Sequence, residues 1–344
     1  MIALQFWVPD RVYFEPSAKE TIVGKRILAF CEDKNIPILH TTSHNQVRGL
    51  PGKDEKAKYA AAKKTLIVGT KKSLQLEVCK PSAHYQFSLM TNCPGNCEYC
   101  YLFTTQGKKP YVRVYVNMED LFHTIDKYIE KRLPHATMFE AASTGDPLAV
   151  EHITGTLKDT IEHFGTLNRG RLRVVTKFSN VDSLLDAKHN GHTRFRFSIN
   201  SQHVIKNFEH NVDDLEERLQ AAAKIAKAGY PLGFIIAPII LHENWEKGYR
   251  EMLERLHDYL SFKKKSVITF ELIQHRFTMN AKKIIEERFP NTNLEMNPHK
   301  RVKKWGKYGR VKYVYKKEEV IEAKEYIEEL IKKHFPYSHI QYFT

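Results

Sequence analysis

Residues 93–102 read CPGNCEYCYL and hold three of the chain's five cysteines, Cys93, Cys97 and Cys100. Thiolates at this C-x3-C-x2-C spacing are soft ligands, suited to zinc or to an iron–sulfur cluster. A structural zinc site usually takes four ligands, commonly as separated pairs. No second CxxC pair occurs here, which leaves a distant histidine as the only way to complete such a site. A cubane cluster with three irons held by protein and one open to a small molecule suits the compact triplet better.

The flanking sequence decides what carries this loop. From about residue 83, short apolar runs alternate with amphipathic segments. HYQFSLM (84–90), ATMFEAAS (136–143), RLRVVTKFS (171–179), RFRFSIN (194–200), PLGFIIAPII (231–240) and SVITFELI (266–273) read as strands. Residues 118–133, 148–165, 212–229 and WEKGYREMLERLHDYL read as helices between them. Six strands alternating with helices predict an α/β fold, a partial (β/α)6 TIM-type barrel. Catalytic groups in such folds gather at the C-terminal ends of the strands, and CPGNCEYC lies just past the first of them. The division expected is an N-terminal α/β segment over 1–82, a barrel over 83–275 and a C-terminal region over 276–344. In the first, KDEKAKYAAAKK (53–64) reads as an exposed helix or loop before the apolar run TLIVG.

Bulk properties narrow the setting. The 344 residues are 42% hydrophobic, enough for a substantial core, and the formal net charge of +14 suits a polyanionic partner. The N-terminus lacks a basic region followed by an apolar core, so no signal peptide is expected. No apolar run reaches membrane-spanning length, and no membrane partner is expected. Three cysteines packed into one octapeptide are unlike a secreted disulfide framework, which points to reducing cytoplasm. Cys31 and Cys79 stand apart from the triplet and read as buried, inert thiols.

CxxxCxxC with an aromatic before its last cysteine resembles the radical S-adenosylmethionine superfamily. There the cysteines hold a 4Fe–4S cluster whose fourth iron is chelated by S-adenosylmethionine. RVYFEPSA, CPGNCEYCYL, FEAASTGDP, RFTMNAKKIIEERFPNTNLEMN and KYGRVKYVY, in this order, resemble the spore photoproduct lyase family. The resemblance implies a bacterial repair enzyme of the spore core that reverses 5-thyminyl-5,6-dihydrothymine in double-stranded DNA, fed by an unidentified electron donor. It implies Cys93, Cys97 and Cys100 as cluster ligands and Tyr99 against the adenine through its backbone. Gly145 and Asp146, in a TGDP turn where the superfamily often has GGE, fall at the methionyl amino group. Lys177, Ser198 and Asn200 follow the next strand ends, toward the carboxylate and ribose, and Ala237 meets the adenine by its backbone. Tyr101, with Tyr99, resembles the relay that returns hydrogen to regenerate the cofactor.

One position departs from the family. Its EAAC motif, whose cysteine gives a hydrogen atom to the product radical, here reads Glu140-Ala-Ala-Ser143. A serine O–H is much stronger than a thiol S–H and is a poor donor to a carbon radical. The exchange reads as a donor-defective variant in which bond cleavage starts and the final quench falters.

The tail NPHKRVKKWGKYGRVKYVYKK (297–317) contains no acidic residue and precedes an amphipathic helix over 318–335. VKKW and RVKYVY flank GKYG, whose glycines supply the positive φ of a tight turn, so a hairpin is expected over about 300–315. Taken alone, such a hairpin is a solvated edge whose lysines deter aggregation. Beside an enzyme whose lesion must leave the base stack, it is read as the DNA-binding element. Lys307 and Tyr308 would insert at the lesion, with Lys300, Arg301, Lys303, Lys304 and Arg310 on phosphates, and Trp305, Tyr313 and Tyr315 would add stacking surface. Glu271 and His275, near the last strand end, are held as weaker substrate contacts. Two other functions compete: a radical enzyme modifying RNA, which usually carries a second cysteine cluster, and a non-catalytic zinc or iron–sulfur nucleic-acid-binding protein.

Overall fold

A computed structural model describes residues 6–344 except 46, 105, 106, 108, 109, 142, 264–266, 307, 308 and 310. The chain opens with strand β1 (Arg11–Phe14), helix α1 (Ile22–Asp33), strand β2 (Ile38–His40), helix α2 (Glu55–Lys63) and strand β3 (Thr65–Gly69). Three two-residue strands follow, β4 (Glu77–Val78), β5 (Tyr85–Gln86) and β6 (Met90–Thr91). Then come β7 (Val112–Tyr115), α3 (Met118–Glu130), β8 (Thr137–Glu140), α4 (Glu151–Thr154), α5 (Thr156–Thr166), β9 (Gly170–Thr176) and β10 (Thr193–Ile199). The remainder comprises α6 (Gln202–Phe208), α7 (Leu215–Lys227), β11 (Leu232–Ile239), α8 (Trp245–Tyr259), β12 (Thr269–Gln274) and α9 (Met279–Arg288). It closes with β13 (Val302–Trp305), β14 (Val311–Val314), α10 (Lys317–His334) and β15 (His339–Phe343).

An eight-stranded sheet has the order β15-β12-β11-β10-β9-β8-β5-β4. The six strands expected from the apolar runs therefore lie side by side in chain order. Phe139 in β8, Phe195 and Phe197 in β10, and Phe234 and Phe270 in β11 and β12 are fully buried. Pairing is parallel for β5–β8, β8–β9 and β11–β12, as crossover connections require. Parallel β15 extends the sheet at one edge and antiparallel β4 at the other, and neither was expected. A separate five-stranded sheet has the order β2-β1-β3-β7-β6.

The chain divides into two compact units. Met1–Pro94, Gln106–Phe195 and Ala228–Tyr230 form the first; Gly95–Thr105, Arg196–Lys227 and Pro231–Thr344 form the second. This division cuts across the sequence boundaries at 82 and 275.

Three local expectations change. The run 84–90 is two strands, because the Phe87 N–H donates to the Glu140 carbonyl while Leu89 accepts from the Tyr115 N–H. The backbone thus leaves one sheet for the other within three residues, and the cysteine motif follows β6. The helix expected over 148–165 breaks at Gly155, whose φ of 64° ends α4. The buried Glu151 carboxylate then accepts from the Leu157 and Lys158 N–H groups at 2.8 and 3.0 Å and starts α5. Burial, the larger effect, raises the Glu151 pKa to about 7 against these two bonds. Between β9 and β10 only a single 3-10 turn, Asp182–Leu184, stands where a repeat would place a helix, with Val181 and Leu184 buried.

The hairpin forms as expected: β13 and β14 pair antiparallel, Val302 opposite Val314 and Trp305 opposite Val311. Lys307, Tyr308 and Arg310 lie outside the described residues. Among the described residues, no helix is long and apolar enough to cross a membrane.

Candidate active site

In the second unit, the part of the motif from Asn96 onward is held by its backbone. The Asn96 N–H donates to the His210 carbonyl at 2.7 Å and the Glu98 N–H to the Phe208 carbonyl at 2.8 Å. The Cys100 N–H returns to the Cys97 carbonyl at 3.1 Å, so the last two cysteines flank one turn. Side chains brace the same loop. Glu98 is buried, with His210 Nε2 2.9 Å from its Oε1 and the Thr292 hydroxyl donating to its other oxygen. Tyr99 donates its hydroxyl to Glu209, and Glu209 Oε2 receives Arg218 Nη2 at 2.5 Å. Burial, then the neighbouring Glu209 charge, lifts the Tyr99 phenol well above its ordinary pKa. Arg218 is fully buried and also donates to the Asp213 and Ser198 carbonyls at 2.8 and 3.0 Å. A buried charge with this many partners is an anchor, and removing one partner leaves the other costly.

The geometry separates the two tyrosines. The Tyr99 hydroxyl belongs to the frame, and its ring packs against the apolar cluster of Val204, Phe208, Ile240, Phe277 and Tyr313. Tyr101, in the 3-10 turn Tyr101–Thr104, is 63% exposed. Among the described residues, no three His, Cys, Asp or Glu side chains converge as ligands of one metal ion. Thiolates on separate irons of a cubane do not share a point, and three soft donors within eight residues fit a cluster.

In the first unit, Lys63 Nζ donates to the Cys93 carbonyl at 2.7 Å. The residue before Cys93, Asn92, is buried at φ 66° and donates its N–H to the Thr144 carbonyl at 2.8 Å. Asn92 also forms a parallel bridge with Gly145, and a Cβ on Gly145 would fall 2.6 Å from the Asn92 carbonyl oxygen. Close backbone approach, rather than an unusual φ, requires the glycine here. Asp146 is buried, and its Oδ2 accepts from the Lys177 N–H at 2.9 Å, joining the ends of β8 and β9. Gly145, Asp146 and Lys177 thus follow the neighbouring ends of β8 and β9, while Ser143 lies half-buried just beyond β8.

At the strand ends of the second unit, Asn200 is fully buried. Its amide donates to the Pro238 carbonyl at 2.7 Å and accepts from the Ser201 N–H at 3.0 Å, locking β10 to β11. Ser198 is also buried. Register slips between Ile236 and Ile239 in the β11–β12 pairing. A slip of this kind takes backbone groups out of the ladder, and Ala237 lies within it.

Several sequence readings are corrected. Arg301 does not face solvent: its side chain is 1% exposed, 2.9 Å from Glu295 and 3.6 Å from the Tyr315 ring centroid. It also donates to the His275 carbonyl at 3.4 Å, which makes it the root of the hairpin rather than a phosphate ligand. Tyr313 and Tyr315 are buried, Tyr313 stacked on Phe277 at 5.3 Å, so neither offers stacking surface. Glu271 is a core residue, bound by both oxygens to Arg196 at 2.9 and 2.8 Å. His275 is buried, and burial followed by the Arg301 charge lowers its pKa to about 3. Of the cysteines outside the motif, Cys31 is 1% exposed, and burial pushes its thiol up to about 11. Cys79, by contrast, is half-buried on the turn before β5.

The Arg218–Glu209 anchor was not foreseen. Its signal is Arg218 itself, three residues after Leu215 and four before Ala222 on the buried face of α7. An arginine at an apolar position of a helix announces a buried acid.

A largely parallel α/β sheet leading into C-x3-C-x2-C defines the class: a radical S-adenosylmethionine enzyme on a partial TIM-type barrel. A model of the spore photoproduct lyase family matches residues 7–344. The spore photoproduct lyase of Bacillus subtilis (strain 168) is 52% identical over 98% of this chain and 99% of its own length. That of Clostridium acetobutylicum is 43% identical over 96% and 98%. The chain belongs to the spore photoproduct lyase family and is a carbon–carbon lyase of the radical class. Among solved structures, a spore photoproduct lyase complexed with dinucleoside spore photoproduct matches with TM-score 0.96 at 50% identity, covering 99% of this chain and all of its own. A double variant with bound AdoMet and the same dinucleoside matches equally well at 51% identity over the same shares. In it, one cysteine is replaced by alanine and one serine by cysteine.

Proposed function

We propose that this chain reverses 5-thyminyl-5,6-dihydrothymine to two thymines in double-stranded DNA of the bacterial spore core. The observation that carries the reading is full-length likeness to lyases solved with that lesion, joined to an intact and rigidly braced cysteine loop. Cys93, Cys97 and Cys100 would hold a 4Fe–4S cluster, and that cluster with S-adenosylmethionine bound would supply the radical chemistry that opens the lesion at C6.

The protein positions and excludes. Gly145 gives the backbone room beside the methionyl amino group, and Asp146, fixed by the Lys177 N–H, offers that amine a carboxylate. Lys177 serves the carboxylate end, Ser198 and Asn200 hold the strand ends under the ribose, and Ala237 turns backbone toward the adenine. Tyr99 shapes the loop through Glu209, and Tyr101 relays hydrogen on the way back to the cofactor. Ser143, lacking an S–H, does not quench the product radical.

The hairpin carries the DNA. Lys300, Lys303 and Lys304 are exposed and Trp305 is 75% exposed, a basic edge with one stacking ring. Lys304 stands directly opposite Lys312, a like-charge pair that costs stability alone and that a phosphate relieves. By their place in the sequence between β13 and β14, Lys307 and Tyr308 are assigned to the lesion and Arg310 to a phosphate.

Anaerobic reconstitution with iron and sulfide tests the whole. The expected product is a brown protein with about four irons that cleaves S-adenosylmethionine under dithionite and consumes the dinucleoside lesion. A colourless protein binding one zinc and leaving the lesion intact would sink it.

A further inference from the structure

Arg196, Arg218 and Arg301, buried in the second unit, each hold a carboxylate: Glu271, Glu209 and Glu295 respectively. Arg113 of β7, in the first unit, is half-buried and differs. Its Nε donates to the His44 carbonyl at 2.8 Å, and its guanidinium carbon lies 5.4 Å from the Tyr111 ring centroid. Among the described residues no carboxylate pairs with it, and its bond to protein is made by Nε, which leaves both Nη groups for another acceptor. Burial, the larger effect, lowers its pKa against the pull of the Tyr115 and Tyr111 phenols. Glu15, bonded to His44, is committed elsewhere: its carboxylate takes the His44 N–H and ring at 2.7 and 2.8 Å and the Thr70 N–H at 2.9 Å.

A second cation shares this place. Lys71, just past β3, is half-buried with its Nζ 5.5 Å from the Tyr115 ring centroid. Burial lowers its pKa, and the opposing charge is that of Glu77, which is exposed and receives Gln86 Nε2 at 2.7 Å. Hydroxyls complete the surface. Thr91 stands opposite Arg113 in the β6–β7 pair, and its Oγ1 is 3.4 Å from the Tyr115 hydroxyl. Residues two apart on a strand share a face, so Arg113 and Tyr115 point the same way. A partly desolvated cation without an acid costs stability until an anion reaches it. Two such cations beside two hydroxyls make an anion site.

Its position suggests the anion. Thr91 is two residues before Cys93, and the carbonyl of the preceding Met90 accepts from Thr144 Oγ1 at 3.2 Å, next to Ser143. The surface thus lies along the strand that enters the cysteine motif and is tied to the turn after β8. A guanidinium fork matches two phosphate oxygens, an ammonium adds a point charge, and hydroxyls are ordinary partners of DNA phosphates.

We propose that Arg113, Lys71 and the Thr91–Tyr115 hydroxyl pair bind phosphodiester oxygens of the lesion-bearing strand beside the lesion. The inference rests on the repair reading for the identity of the polyanion. It gives the first unit a DNA contact of its own, in addition to the hairpin of the second.

The test sets a duplex carrying the lesion against the dinucleoside lesion, which has no flanking phosphodiester, using the full reconstituted chain. Arg113→Gln and Lys71→Gln are each expected to lower the ratio of duplex to dinucleoside kcat/KM about tenfold, through KM, as loss of one charge-assisted contact does. Each is also expected to reduce the slope of log duplex affinity against log salt by roughly 1. Arg113→Lys is expected to keep the slope and lose the affinity that the fork supplies. Unchanged duplex affinity and slope in both Gln variants would overturn the inference. So would a lowered urea midpoint with both substrates depressed alike, the result of a merely structural role. Inorganic phosphate distinguishes a free anion. If it raises the urea midpoint of the unaltered chain but not of Arg113→Gln, while the two bind duplex equally, the inference falls. A chain that shows the expected slopes and never consumes the lesion removes the repair reading and leaves the phosphate contact standing.

Discussion

Within one compact unit, the loop Asn96–Cys100 and the hairpin β13–β14 use basic residues in opposite ways. The loop is braced by Arg218, which is fully buried and shares a carboxylate with Tyr99. The hairpin displays Lys303 and Lys304 to solvent, with Trp305 beside them. Even Arg301, just before the hairpin, follows the first pattern and turns inward to Glu295, His275 and Tyr315. A guanidinium satisfies several fixed acceptors at once, whereas an ammonium on a flexible stem suits partners that come and go. In this unit arginine at these places builds the scaffold, and the exposed lysine edge is the part that the proposed function gives to DNA.

The contrast breaks first at Arg218. Arg218→Leu leaves the Glu209 carboxylate buried without its cation, a loss of about 3–5 kcal/mol. Urea unfolding should show that drop, and iron content after reconstitution should fall with it. If both stay at the unaltered level, the anchor is not what holds the loop.

Next is the root of the hairpin. Because His275 titrates near pH 3 when folded and near 6.5 when unfolded, the unfolded chain takes up the proton first. Its contribution is fully present above about pH 6.5 and is lost as pH falls toward 3. Between pH 7 and 5 it should account for about 2 kcal/mol of lost stability. Urea midpoints at the two pH values measure it, and His275→Gln should flatten that part of the profile.

On the exposed side, Lys303→Glu with Lys304→Glu should weaken duplex binding and lower the slope of log affinity against log salt by roughly 2. The urea midpoint of that variant should correspond to the unaltered one within about 0.5 kcal/mol. The smallest effect belongs to Lys304→Thr, which removes the cross-strand repulsion with Lys312 and should stabilise the free protein by about 0.2–1 kcal/mol. A destabilised Lys304→Thr would mean that the pair is relieved within the fold and is not awaiting phosphate.

The same contrast explains what could be read before the structure was known. Strands β8 to β12 were legible because each is an apolar run bounded by polar turns, and the cysteine loop because its spacing is chemical. The hairpin was legible from two glycines between matched strands. Arg301 was misassigned because it lies among Lys300, Lys303 and Lys304, and only the fold reveals that Glu295 and Tyr315 enclose it. Strand β15 was missed since His339–Phe343 is largely accessible and shows little contrast between its two faces. The split of 84–90 between two sheets was invisible because both halves are extended and similarly apolar, and what separates them is the destination of their N–H groups.

One apolar cluster ends with a consequence of its own. Phe277 and Tyr313 belong to it together with Phe208 and Ile240, and Tyr99, Cys100 and Val311 pack on its flanks. Cys100, the proposed cluster ligand, and β14, the proposed DNA-binding strand, therefore rest on a common set of side chains. Under the proposed function, a duplex that immobilised β14 would lower the free-energy cost of ordering the ligand loop, and by reciprocity a loaded loop would tighten the grip on DNA by the same factor.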